Sequence, residues 1–140
     1  PPPFSGNDLL VQRKWLSRAR GDTWSLDMAG VLSIGLRARE CSIGDVVRFF
    51  RGVRFSNRLM WPALMEVDLA REISEVAVPV VFFAGRHDYT TPFELARSYF
   101  EVLKAPSKRW VWFEDSAHMP NVEEPARFQE ELVRIAQELC

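Results

Sequence analysis

Val76-Ala77-Val78-Pro79-Val80-Val81-Phe82-Phe83-Ala84-Gly85 is a run of apolar and β-branched residues with no polar side chain and a glycine at its end. A strand with one wet face alternates polar and apolar residues. An unbroken apolar run of this length reads instead as a strand buried on both faces, the kind found in parallel sheets. Downstream, Thr91-Pro92-Phe93-Glu94 offers an N-cap, a proline at the first helical position and a glutamate placed to close a capping box, so a helix is predicted from there to about Lys104. Pro106 ends it, and Arg109-Trp110-Val111-Trp112-Phe113-Glu114 supplies a second aromatic and β-branched strand. Residues 78 to 114 therefore read as one strand–helix–strand unit. Pro125 opens a closing helix in which Phe128, Leu132, Ile135 and Leu139 recur at helical spacing, as a face packed on the sheet requires.

Upstream the periodicity is helical. After Asn7 or Asp8, the residues Leu9, Leu10, Trp15, Leu16 and Ala19 share a face, with Arg18 and Arg20 in the last turn and Gly21 as the stop. A second helix is predicted over Ser25–Glu40 on Leu26, Ala29, Leu32 and Leu36, weakened by Gly30 and Gly35. Ser42 with Asp45 three residues on predicts a third helix running to Gly52, and Ser56 a short fourth one carrying Leu59, Met60 and Trp61 and limited by Pro62. The fold class is α/β: a mostly helical region over residues 1–75, then a strand–helix–strand–helix unit of a parallel sheet over residues 76–140. Two parallel strands, each apolar on both faces, need neighbours beyond their edges, and no third convincing strand is present. The expectation is a portion of a larger α/β protein whose remaining strands precede Pro1. The opening Pro1-Pro2-Pro3-Phe4-Ser5-Gly6, without an initiator methionine or a secretion signal, agrees with it.

Composition narrows the function classes. The chain has 140 residues, 47% hydrophobic and 26% charged, with 18 basic residues against 19 acidic ones. Such a chain suits a soluble domain with a core, and neither nucleic acid nor a membrane is an expected partner. No apolar run approaches the roughly 20 residues of a membrane span. Cys41 and Cys140 lack the clustering of a zinc site and read as free thiols of a reducing, cytoplasmic setting. No metal or other cofactor is implied.

The two histidines stand in different settings. His118, in Asp115-Ser116-Ala117-His118-Met119-Pro120, lies on a loop at the carboxyl end of the second strand, and His87-Asp88 follows the carboxyl end of the first. Ligands of open parallel sheets bind at that edge. If the strands are neighbours, Asp88 and His118 meet as an acid and a base, and the carboxylate can fix the imidazole's tautomer. Asp88 has two other readings, holding the Thr90–Thr91 helix start or pairing with Arg86, and His118 has one, capping the next turn. His87 reads as a solvated neighbour of Asp88, and Cys41 as a helix-boundary thiol. Ser116 is not read as a nucleophile, because no G-x-S-x-G elbow occurs in the chain to expose a serine.

The segment Val78–Pro92 resembles the acid-bearing strand, loop and helix start of the α/β-hydrolase fold, and Trp112–Pro120 with Glu123-Glu124-Pro125 and Phe128 resembles that family's last strand, histidine loop and last helix. The helical residues 1–75, including Asp8–Trp15 and Phe49-Phe50-Arg51-Gly52, resemble the cap of bacterial prolyl-iminopeptidase-like hydrolases. The resemblance implies a partial α/β-hydrolase fold and a serine hydrolase acting on an ester, amide or short peptide, with Asp88 as triad acid and His118 as base. It also implies that the serine and the oxyanion-hole loop belong to an amino-terminal half absent from this chain, which alone would be inactive. Phe50 and Trp61 of the cap, with Tyr89 and Met119 beside the acid and the base, are candidate substrate contacts. Glu40, Glu66, Asp68 or Glu72 could hold a substrate ammonium. The competing expectation is a non-catalytic module that binds or self-associates, as a homo-oligomer, through exposed strand edges.

Overall fold

The computed structural model describes residues 6–26 and 28–139. Expectations for Pro1–Ser5 and the Cys140 thiol, and for the side chains of Asn7, Leu10, Ala29, Leu32 and Leu139, fall outside what is described. The order of elements is α1 (Gly6–Arg18), α2 (Met28–Arg37), α3 (Ile43–Leu64), α4 (Leu69–Glu72), β1 (Val80–Gly85), α5 (Phe93–Val102), β2 (Lys108–Phe113), α6 (Pro120–Glu123) and α7 (Pro125–Leu139).

β1 and β2 pair in parallel, in register from Val80 opposite Lys108 to Gly85 opposite Phe113. Strand pairing starts later than the apolar run suggests. Glu75 bridges Lys104, and from there to the Val80–Lys108 pair the first chain takes five steps where the second takes four. The extra residue falls in the stretch containing Pro79, which has no N–H to give a ladder and is tolerated at such an interruption.

Alternate residues of the strands serve opposite faces. On one, Phe82 stacks on Trp110 with ring centroids 5.5 Å apart, and α5 lays Phe100 edge-on against both and Phe93 against Trp112. On the other, Phe83 and Phe113 meet Phe128 of α7. The sheet is thus the middle of three layers, and Phe100, Leu103, Val111, Phe113, Ala117 and Ile135 form its buried apolar core. Leu132, expected on the inward face of α7, stays 53% exposed. A sheet of two strands is too narrow to cover the whole apolar stripe.

Three helix expectations change. α2 is three residues shorter than predicted at each end. The predicted third and fourth helices are one, α3, of 22 residues, because an isolated Gly52 costs only about 1 kcal/mol in a helix interior and brings no stop signal with it. Its start is as read: Ser42 Oγ accepts from Asp45 N–H, and the Asp45 carboxylate accepts from Ser42 N–H. At the start of α5 the capping box does not form. Pro92 is the N-cap, with no side-chain capping bond, and the Thr91 hydroxyl is turned toward Asp88.

No described residue of α3 is buried. Among the described residues no helix is long and apolar enough to cross a membrane.

Candidate active site

Both loops that leave the carboxyl ends of β1 and β2 carry a residue singled out by sequence, and the parallel register sets them side by side. Arg86 N–H donates to Phe113 O, and His87 N–H to Ser116 O at 3.0 Å. Gly85 makes this approach possible. A Cβ there would stand 1.9 Å from the Ala117 carbonyl oxygen and 2.5 Å from that of Ser116, so only glycine lets the two backbones pass.

Asp88 is buried, and its carboxylate is satisfied on both oxygens. Oδ1 accepts the N–H groups of Thr90 (2.9 Å) and Thr91 (3.0 Å), an Asx-turn that the following two residues close locally. Oδ2 accepts the Thr91 hydroxyl at 2.9 Å and faces His118 Nδ1 at 2.9 Å. Because an ionised carboxylate only accepts, this contact selects the tautomer in which Nδ1 is the donor and the lone pair of the neutral ring is on Nε2. The His118 side chain is 43% exposed, which leaves it reachable by a reacting group. Thr91 Oγ also lies 3.3 Å from Nδ1, so hydroxyl, carboxylate and imidazole form one cluster.

Of the open readings for Asp88, the helix-start role and the histidine contact are both realised. The Arg86 pairing is not. Arg86 instead makes a two-pronged pair with Glu114, at 2.9 and 2.8 Å, and lies 3.8 Å above the Trp112 ring. The Arg86 hydrogen bond holds the Glu114 carboxyl below its usual range, and Glu114 raises the Arg86 guanidinium in turn.

His87 is not simply solvated: its ring stacks on Trp24 with centroids 3.5 Å apart and planes 6° from parallel. Ser116 is fully buried and donates its hydroxyl to Glu124, so it has no free nucleophile to offer. Cys41 is a free, half-buried thiol. Tyr89 is half-exposed beside the acid, and the Met119 carbonyl caps α6 by accepting from Val122 and Glu123. Phe50 is 55% exposed and meets Phe49 edge-on, and Trp61 is half-buried with its indole N–H unpaired. Of the four acids considered for an ammonium, Asp68 and Glu72 both serve the start of α4, Asp68 accepting from Arg71 N–H and Glu72 reaching back to accept from Asp68 N–H. Among the described residues no group of three or more His, Cys, Asp and Glu is placed to hold a metal ion.

One part of the site is absent from the sequence reading altogether. Gly21, Asp22 and Thr23, between α1 and α2, are buried against both loops. The Gly21 carbonyl accepts from Tyr89 N–H (2.9 Å) and Thr90 N–H (3.1 Å), and the Asp22 carbonyl from His118 N–H (3.2 Å). Gly21 reads in sequence as a helix stop. The left-handed residue that ends α1 is in fact Arg20, φ 55°, and Gly21 is there for close approach, since a Cβ would meet Tyr89 Cβ at 2.9 Å. The signal available was the polar Gly21-Asp22-Thr23 cluster, which marks a turn without saying what it touches.

Comparison with known proteins adds a coarse class. Over 101 residues the chain is 37% identical to a protein named probable aminopeptidase YbaC from Bacillus subtilis (strain 168), a match covering 72% of this chain and 32% of that protein. Over 65 residues it is 37% identical to a proline iminopeptidase from Heyndrickxia coagulans, covering 46% of this chain and 22% of that protein. The similarity is thus to proteins named as peptidases, a class of hydrolase. The chain spans about a third of the length of the first relative and about a fifth of the second. It matches no family model and no solved structure.

Proposed function

We propose that this chain supplies the acid and the base of a serine hydrolase of the α/β-hydrolase type, aminopeptidase-like in substrate, whose nucleophile lies on a segment of the protein outside these residues. The observation that carries the reading is the 2.9 Å contact between a buried, fully hydrogen-bonded Asp88 and Nδ1 of a half-exposed His118, both at the carboxyl edge of a parallel pair. The peptidase names of the relatives support it.

In this mechanism His118 Nε2 takes the proton of the elbow serine as its oxygen attacks the acyl carbon. Asp88 holds the imidazole in the required tautomer and stabilises the imidazolium that forms. The imidazolium then returns the proton to the leaving amine or alcohol, and a water activated the same way hydrolyses the acyl-enzyme. Residues 76–140 form the carboxyl-terminal part of the catalytic core and residues 1–75 its cap, from which Phe50 and Trp61 would reach an apolar part of the substrate, with Tyr89 and Met119 at the catalytic edge. No cofactor enters. The chain alone is inactive, for want of a nucleophile and of oxyanion donors, each worth about 10²–10³ in rate. The setting is cytoplasmic, and the substrate a small ester, amide or short peptide.

The test is turnover of aminoacyl anilides and simple esters by the full-length protein. Asp88→Asn should lower kcat by about 10⁴ and His118→Ala by about 10⁶, as loss of the acid and of the base do in other triads, while thermal unfolding stays cooperative. Wild-type rates in both variants would sink the assignment, and the ratio of anilide to ester turnover tells peptidase from esterase.

A further inference from the structure

The residues that make the acid–base contact do not by themselves explain how two separate loops hold a fixed spacing. His118 is anchored through its own N–H to the Asp22 carbonyl, and the acid loop is anchored through Tyr89 and Thr90 N–H to the Gly21 carbonyl. Residues 21–25 are thus a crosspiece to which both loops are pinned. A single side chain fastens that crosspiece to the histidine loop. Glu123 Oε1 accepts from Trp24 N–H (2.5 Å), Ser25 N–H (2.8 Å) and the Ser25 hydroxyl (3.2 Å), while Oε2 accepts from Ala117 N–H at 2.8 Å, one residue before the histidine.

We infer that Glu123 is a positioning residue for His118: its carboxylate latches the 21–25 crosspiece to the histidine loop and thereby sets the Asp88–His118 distance. The inference rests on the hydrolase reading for its effect on turnover, but the geometry it describes does not. Both oxygens of the carboxylate must accept. A carboxamide has one acceptor oxygen, so in Glu123→Gln either the Trp24–Ser25 side or the Ala117 side faces an N–H it cannot accept from, at nearly unchanged side-chain volume. Releasing either side frees the loop that carries His118, and misplacement by about 1 Å is enough to cost on the order of 10²-fold in rate.

The experiment compares E123Q with wild type, D88N and H118A in the full-length protein, measuring kcat and KM and the low-field proton resonance of His118 Nδ1–H. E123Q is expected to lower kcat about 10- to 100-fold with KM changed less than about twofold, and to shift or broaden the Nδ1–H resonance. Should E123Q fail to fold, Ser25→Ala removes one bond of the latch and should move the same resonance and kcat in the same direction by less. An unmoved resonance with wild-type kcat overturns the inference, including where E123Q melts at a lower temperature. Loss of turnover in D88N and H118A beside a wild-type E123Q sinks the role of Glu123 alone. Wild-type turnover in D88N and H118A sinks the hydrolase reading, and the resonance in E123Q then decides the latch by itself.

Discussion

A methyl group at position 85 would lie 1.9 Å from a backbone oxygen, with no side chain to move aside. Gly85→Ala must therefore push the Ser116–Ala117 backbone away from β1, breaking the His87 N–H to Ser116 O bond and displacing His118. The expected cost is at least about 3 kcal/mol, at the upper end for overpacking, because the neighbour that must yield is main chain. Chemical denaturation of G85A against wild type measures it, and a change below 1 kcal/mol would refute the close approach. At this scale the sequence disclosed only part of the site. That Asp88 and His118 would meet was legible because each follows an apolar strand, and parallel strands put their carboxyl ends together. Thr91 read as a cap because its sequence neighbours satisfy a capping pattern, yet its hydroxyl goes to Asp88, a nearby carboxylate being a stronger acceptor than a neutral partner. Asp22 and the Trp24–Ser25 side of the Glu123 latch were not legible at all, since these contacts join residues about a hundred positions apart and no local pattern reports them.

Between elements, the ends of β1 and β2 are clasped by Arg86 and Glu114. Glu114 has a lowered pKa in the folded protein, through the Arg86 hydrogen bond first and the Arg86 charge to a lesser extent, against an opposing desolvation, and Glu138 and Asp45 are lowered by their own hydrogen-bonded partners. A carboxyl group depressed on folding contributes stability that is present above its unfolded pKa, about 4.3 for glutamate, and is lost as pH falls through the lower folded value. Acid should therefore destabilise the fold below about pH 4.5. The Glu114→Gln variant should lose stability less steeply over the same interval than wild type, measured as denaturation midpoint against pH; parallel curves would exclude the pair as a source. The elements themselves were largely legible, because burial on two faces writes an unbroken apolar run and the Ser42–Asp45 pair writes a helix start. Their limits were not. Gly52 stops nothing without a partner signal, and the Pro79 interruption depends on register with a segment 29 residues away.

Over the whole molecule, the two strands pair only with each other among the described residues, and α3 carries Ile43, Val47, Phe49, Phe55, Leu59, Met60 and Leu64 exposed. Free edges and apolar faces of this size favour association. The isolated 140-residue chain is expected to show a molecular mass that rises with concentration in sedimentation equilibrium; a monomer at every concentration would count against both the open edges and the self-associating module reading. That the pair has no further strand beside it among the described residues was visible in the sequence as two apolar strands and no convincing third.

The crossing at Gly85 limits how such a protein can diversify. There main chain rests on main chain, with no side chain to trim or enlarge, so the approach of the two loops offers natural variation nothing to tune, and the Glu123 latch is left as the side chain through which the facing of Asp88 and His118 can be adjusted. α3, none of whose described side chains is buried, can exchange residues at small cost to the fold. Side chains can change along that helix while the loop crossing stays where it is.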